Sequence, residues 1–251
     1  MRVSLVIPIY NESGHLKRFL EEIDRLDLGV TKELIFIDDC SKDGSFDILK
    51  SYPFKSEHQL HRHEVNRGKG AAIQLGFAQS TGNIVGVQDA DFEYDMQDIK
   101  HLIQPIVDGR ADVVYGSRFK KSGEQVHRTF HYLVNRFLTF LSNICTGIYL
   151  TDMETCYKFF RADIIKNIKL DAQRFGFEPE ITAKIAHLKL RIMEYAISYY
   201  PRNYHQGKKI TWKDGIAAIW HILFYSLAVK PENFVRQELP KSFLPTERQW
   251  L

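Results

Sequence analysis

The feature that most constrains this chain is an alternation repeated along its first half. Short runs of branched apolar residues each close on a polar cluster, and amphipathic stretches follow. Residues 3–9 (VSLVIPI) read as a buried strand that stops at Tyr10-Asn11-Glu12-Ser13, after which Leu16, Phe19, Leu20, Ile23 and Leu26 recur at helical spacing. Residues 33–37 form a second such run, closing on Asp38-Asp39, and residues 83–87 a third, closing on Gln88-Asp89-Ala90-Asp91. Between them Asn66-Arg67-Gly68-Lys69-Gly70 opens a helix of small residues, and beyond them residues 98–107 read as helix and 112–116 as strand. Strand, loop and helix in succession predict an α/β fold built on a parallel sheet. Ligands of such sheets collect at the carboxyl ends of the strands, and all three polar clusters lie there.

Past residue 116 the character changes. Between Ser117 and Arg136 five basic residues (Arg118, Lys120, Lys121, Arg128, Arg136) stand against a single acidic one, Glu124. Residues 132–150 then run apolar, residues 179–188 read as helix, 191–200 as strand, and 212–227 as an aromatic amphipathic segment. The tail from Lys230 carries three prolines and little periodicity, so it is expected to be an extended appendage. The expected division is residues 1–116, 117–229 and 230–251.

A net charge of +3 over 251 residues gives no global field of the kind that marks nucleic-acid binders, so any basic function must be local. Cys40, Cys145 and Cys156 form no CxxC pair, which argues against a disulfide framework or zinc cluster and fits a reducing, cytoplasmic compartment. The first residues do not have the pattern of a secretory signal. The aromatic, apolar uncharged run of residues 215–229 is 15 residues and too short to span a bilayer as a helix.

Asp89-Ala90-Asp91 carries the clearest chemistry. In extended backbone, residues i and i+2 point to one side, so two carboxylates converge at a strand end where a hard divalent cation can be held. Magnesium keeps water and shares its shell with substrate phosphates, so two carboxylates without a full cage suggest a metal-diphosphate site.

The segments 6–12 (VIPIYNE), 37–45 (IDDCSKDGS), 66–72 (NRGKGAA) and 88–94 (QDADFEY), in this order and spacing, resemble the inverting glycosyltransferases of family 2. Residues 115–119 (YGSRF), 151–158 (TDMETCYK) and 208–214 (KKITWKD) are similar to the dolichyl- or polyprenyl-phosphate mannose synthase branch of that family. The resemblance covers about residues 3–227 and implies a GT-A, Rossmann-like sheet with C-terminal amphipathic helices. It implies a nucleotide-binding half in residues 1–116, with Pro8, Tyr10, Glu12 and Asp39 around the base and ribose, Asp39 accepting a base N–H. Lys69, Asp89 and Ala90 would then face the diphosphate. Asp89 and Asp91 would hold Mg2+ or Mn2+, joined by Glu93, where many relatives have Gln.

Residues 117–229 would bind the acceptor. Asp152 matches the Asp that opens the family's Asp-x-x-x-x-x-Arg segment, with Lys158 in place of the Arg. A hydroxyl acceptor needs a general base, for which Asp152 and then Glu180 are candidates beside Asp91 at the reacting centre. A phosphate acceptor needs cations instead, and Arg118, Arg128, Lys158, Arg202 and Lys208 could supply them.

The reading that follows is an inverting hexosyltransferase using a nucleotide-diphosphate sugar of the GDP-mannose or UDP-glucose type and a polyprenyl phosphate. Any membrane contact would be peripheral, at the cytoplasmic face, through residues 132–150 and 212–227. The alternatives are a soluble enzyme acting on a sugar or protein hydroxyl, and a catalytically silent sugar-nucleotide-binding protein. A nucleotidyltransferase is disfavoured, because Pro8-Ile9-Tyr10 stands where its Gly-rich loop belongs.

Overall fold

A computed structural model describes residues 1–120, 129–174, 176–201, 212–236 and 238–245. Seven strands, β1 (Arg2–Ile9), β2 (Thr31–Asp38), β3 (Glu57–Arg62), β4 (Ile84–Val87), β5 (Val113–Ser117), β6 (Lys158–Arg161) and β7 (Ile192–Ala196), make one sheet in the order β3-β2-β1-β4-β6-β5-β7. β1, β2, β3 and β4 run parallel, with Val6 level with Ile35 on one side and Val87 on the other. β5 and β7 also pair parallel, whereas β6 is antiparallel to both of its neighbours. The fold is a mostly parallel α/β sheet flanked by helices, as the alternation implies.

The helices follow from apolar spacing. In α1 (Ser13–Arg25) the buried Leu16, Phe19, Leu20 and Ile23 lie on one face. α2 (Ser45–Ser51), α3 (Lys69–Gln79), α4 (Asp98–Val107), α5 (Thr129–Thr146), the short α6 (Ala162–Ile165), α7 (Phe177–Ala186), α8 (Trp212–Leu227) and the short α9 (Pro231–Phe234) complete the set. α3 is made of small residues because it packs closely on β1 and β2.

Three features depart from the sequence reading. β3 has no counterpart in it: this edge strand is polar (EHQLHR) and no more than half-buried, so apolar runs cannot reveal it. β6 enters the sheet against the direction of the others, between β4 and β5. The tail from Lys230 is not a free appendage. Phe234 and Leu239 are buried, Lys169 N–H donates to the Phe234 carbonyl, and Lys189 N–H donates to the Phe243 carbonyl.

α5 packs against α8, and together they leave an apolar surface open: Phe137, Phe140 and Ile144 on α5, Ile216, Trp220 and Leu227 on α8 are all more than half exposed. No described helix is long and apolar enough to cross a membrane.

Candidate active site

The loops that leave β1, β2 and β4 gather at one edge of the sheet. Asn11 and Cys40, both non-glycine residues, have positive φ (52° and 63°) in two of these loops, a cost that is tolerated where geometry matters for function. The first two loops are stitched together. Asn11 N–H donates to Ser41 Oγ (3.0 Å), Glu12 N–H to Ser45 Oγ (2.9 Å) and Ser13 N–H to Asp43 (2.9 Å). Burial works against the Asp43 carboxylate, but the hydrogen bonds from Ser45 and Ser13 hold it down at about 2.

Pro8 and Tyr10 are partly buried where β1 meets its loop, Pro8 level with Ile37 in the strand ladder. Glu12 reaches His15 (3.1 Å), whose Nε2 also lies 2.9 Å from the Ala90 carbonyl, so β1's loop is tied to β4's.

Asp39 is buried and its carboxylate is engaged by the protein itself. It accepts from the backbone N–H of Arg67 (2.8 Å) and Gly68 (2.7 Å), and His63 Nδ1 lies 2.7 Å from Oδ1. The side chain thus holds the 66–70 loop against β2, and any base contact must share a carboxylate with these three partners.

Gly68 and Gly70 are required by a close approach, but the approach is to the chain's own backbone. Gly68 has φ of 92°, and a Cβ on it would lie 2.7 Å from the Gln173 carbonyl; one on Gly70 would lie 2.3 Å from that of Ala172. Glu180 secures the other side of this contact. Fully buried, it accepts from the N–H of Asp171 (2.7 Å) and Ala172 (2.8 Å) and pairs with Lys184 at 2.6 Å. Its place is beneath the loop, not in an open site.

Between the glycines, Lys69 points to the end of β4. Its ammonium lies 2.9 Å from Asp89 and 3.3 Å from Glu178, at the start of α7. Burial works against the charge, but Asp89, the neighbouring Cys156 and Glu178 hold its pKa well above the usual lysine range. The Cys156 thiol is pushed up in turn by burial and by Asp89. Asp91 is buried and accepts the N–H of Glu93 (3.1 Å); Glu93 accepts from the Tyr199 hydroxyl (3.1 Å).

Asp89 and Asp91 offer only hard oxygen donors, with an ammonium already beside Asp89. Among the described residues no three His, Cys, Asp or Glu side chains are disposed to hold a metal by themselves. The donor set fits a divalent cation that shares its shell with phosphate oxygens and water, and does not fit a cage made of protein alone.

Beyond the end of β5, Asp152 and Arg118 meet as each other's partners. Asp152 is fully buried, takes two hydrogen bonds of 2.7 Å from the guanidinium, and also accepts the Arg118 N–H (3.0 Å). Lys158 is buried too, donating to the Met153 carbonyl (2.9 Å) and to that of Thr155. Both residues therefore set the path of the 151–158 segment. Arg128, Arg202 and Lys208 lie outside the described residues.

Four residues of the site escape sequence reasoning. His63 has no signal, coming from the edge strand's end. Glu178 carries a weak one, two residues before Glu180 in the first turn of α7. Glu194 on β7 accepts the N–H groups of Thr151 (2.8 Å) and Asp152 (3.1 Å). Glu154 sits in the motif between Asp152 and Cys156; burial and then the charge of Glu178, against the pull of Lys158 and Arg118, push its carboxyl up to about 7.

Residues 4–169 match the model of the family described as Glycosyl transferase family 2. The chain belongs to that family. It is 30% identical over 217 residues to an undecaprenyl-phosphate mannosyltransferase of Micrococcus luteus, covering 83% of this chain and 87% of the relative. It is 26% identical over 193 residues to a dolichol-phosphate mannosyltransferase of Pyrococcus furiosus, covering 76% of this chain but only 54% of that longer protein. Its fold matches glucosyl-3-phosphoglycerate synthase of Mycobacterium tuberculosis, solved with Mn2+, UDP and glucosyl-3-phosphoglycerate. The TM-score is 0.67 at 17% identity, over 90% of this chain and 80% of that one, which shows the GT-A architecture.

Proposed function

We propose that this glycosyltransferase moves a hexose, with inversion, from a nucleotide-diphosphate sugar to a polyprenyl phosphate. Residues 1–116 take the donor and residues 117–229 the acceptor. One observation carries the choice of acceptor: Asp152 and Glu180, the carboxylates that the sequence offers as bases, are fully buried and ion-paired. An acceptor that must lose a proton gains nothing from them, whereas a phosphate oxygen arrives already anionic. The names of the Micrococcus and Pyrococcus relatives support the same acceptor class.

In the proposed reaction an acceptor phosphate oxygen forms a bond to the anomeric carbon as the bond from that carbon to the nucleoside diphosphate breaks, and the electron pair leaves with the diphosphate. Lys69 lies where it would stabilise that departing charge, with Glu178 and Asp89 fixing its position. Asp89 and Asp91, with Glu93 near them, would hold Mg2+ or Mn2+, which when bound supplies further neutralisation of the diphosphate. The exposed apolar face of α5 and α8 would rest on the membrane surface that bears the lipid.

A hydroxyl acceptor is favoured by one observation, the pKa of Glu154 near neutrality, which suits a general base. The assay that decides offers undecaprenyl phosphate and simple glycosides with GDP-mannose and UDP-glucose, in Mn2+ and in EDTA. Transfer to the lipid phosphate that stops in EDTA is the expected result. Transfer to glycosides alone refutes the acceptor, and equal turnover in EDTA refutes the metal.

A further inference from the structure

Glu154 is the carboxyl that the site as described leaves without a task. One of its oxygens is closed off from solvent and has no hydrogen-bond partner, although the residue as a whole is only partly buried. A buried acceptor without a donor is unfavourable, so such a group in a native site calls for a partner that the protein does not itself provide.

Its surroundings restrict that partner. Glu154 sits in the segment that runs from Asp152, paired with Arg118 at the end of β5, to Cys156, beside Asp89 and Lys69. The charges that act on it come from both directions: Glu178, which also holds Lys69, then Lys158, Arg118 and Asp152. The side chain is therefore within electrostatic reach of Glu178, which shares Lys69 with Asp89, and of the Arg118–Asp152 pair. A phosphate would be repelled there by Glu154 and Glu178 together. A divalent cation has a better set of oxygens at Asp89 and Asp91. A neutral group that donates O–H bonds satisfies the orphaned oxygen and adds no charge.

We infer that Glu154 accepts a hydrogen bond from a ring hydroxyl of the sugar being transferred, and so takes part in choosing that sugar. This rests on the transferase reading above, since it is the hexose that lies between diphosphate and acceptor. It assigns Glu154 to the sugar, with the nucleotide and the diphosphate recognised elsewhere.

Calorimetry tests this on the full chain with Mn2+, using UDP, GDP, UDP-glucose, UDP-galactose and GDP-mannose, for the wild type, Glu154→Ala and Glu154→Gln. For the nucleotide sugar that the wild type prefers, Glu154→Ala is expected to weaken binding about tenfold or more, the loss typical of a hydrogen bond to a charged acceptor. Affinity for the bare nucleoside diphosphate should stay within about twofold, and Glu154→Gln, which keeps an acceptor oxygen, should lie between. The preference between UDP-glucose and UDP-galactose, or for GDP-mannose, should narrow in parallel. Equal loss for sugar nucleotide and bare nucleotide overturns the inference in favour of a structural role. Unchanged affinities with a collapse of kcat overturn it in favour of a general base. A wild type that binds none of the sugar nucleotides overturns the transferase reading itself, and this inference with it.

Discussion

Asp39→Asn separates a residue that reads the nucleobase from one that builds the phosphate loop. In the structure the carboxylate meets three groups within 2.8 Å: the His63 ring and the N–H groups of Arg67 and Gly68. An asparagine offers one oxygen where the carboxylate offers two, so at least one backbone N–H in a buried setting faces an NH2 group and loses its acceptor. An unsatisfied buried donor costs about 1–3 kcal/mol, and the lost charge weakens the surviving bonds further, so about 2–4 kcal/mol is expected in total. For a chain of this size that lowers the melting temperature by roughly 5–15 °C. The loosened loop carries Lys69, one residue beyond Gly68, so affinity for inorganic pyrophosphate should fall several-fold along with that for UDP or GDP. Thermal unfolding and calorimetry with pyrophosphate, UDP and GDP measure both effects. An unchanged melting temperature with intact pyrophosphate binding and weakened nucleotide binding would refute the reasoning, and would return Asp39 to the base pocket that the family resemblance implies.

Arg118→Ala leaves Asp152 buried and unpaired and is expected to cost about 3–5 kcal/mol, with Arg118→Lys unable to restore the two-point contact; denaturant unfolding of both variants checks it. Glu154→Gln should gain stability relative to the wild type as pH rises. A carboxyl raised from 4.5 to about 7 on folding contributes fully below pH 4.5 and loses that contribution by about pH 7, so the variant's advantage should grow over that window to about 2–3 kcal/mol. Burial raises the carboxyl most, Glu178 and Asp152 add to the rise and Lys158 and Arg118 oppose it, and a pH-independent difference would show that folding does not raise this carboxyl. The protein should sediment with anionic vesicles at low salt and less so at high salt, through the apolar face of α5 and α8; absence from the pellet at low salt removes that face from the membrane.

The strands that the sequence makes legible are those whose both faces are covered. β1 is apolar along most of its length and β2 from Leu34 to Ile37 because helices and neighbouring strands bury them, and β4 is buried throughout. β3 and β6 lie outside that rule for opposite reasons. β3 is an edge, so its residues are chosen for solvent. β6 is central, yet its four residues begin with Lys158 and end with Arg161, charges that the fold satisfies with the carbonyls of Met153 and Thr155 for the lysine, and with nearby Asp163 and distant Asp112 for the arginine. No local pattern announces a buried lysine whose acceptors are main-chain oxygens of a preceding loop.

The same distinction governs the site. Residue types and spacing show which chemistry is available, so the acidic pair at the end of β4 and the lysine between two glycines stand out in the sequence. What they do not show is which charges are already engaged. Asp39, Asp152 and Glu180 look alike as isolated acids in loops or first turns, yet each is bound within 2.8 Å by groups 8 to 34 residues away along the chain. Glu154 and Glu178 carry no motif that sets them apart, and their importance comes from a shortage of partners on one side and a shared lysine on the other. Three acids that attract attention in the sequence are therefore engaged in holding the Lys69 loop, the 171–174 loop and the 151–158 segment in place, while the lysine between the glycines is left to pair with Asp89 and Glu178.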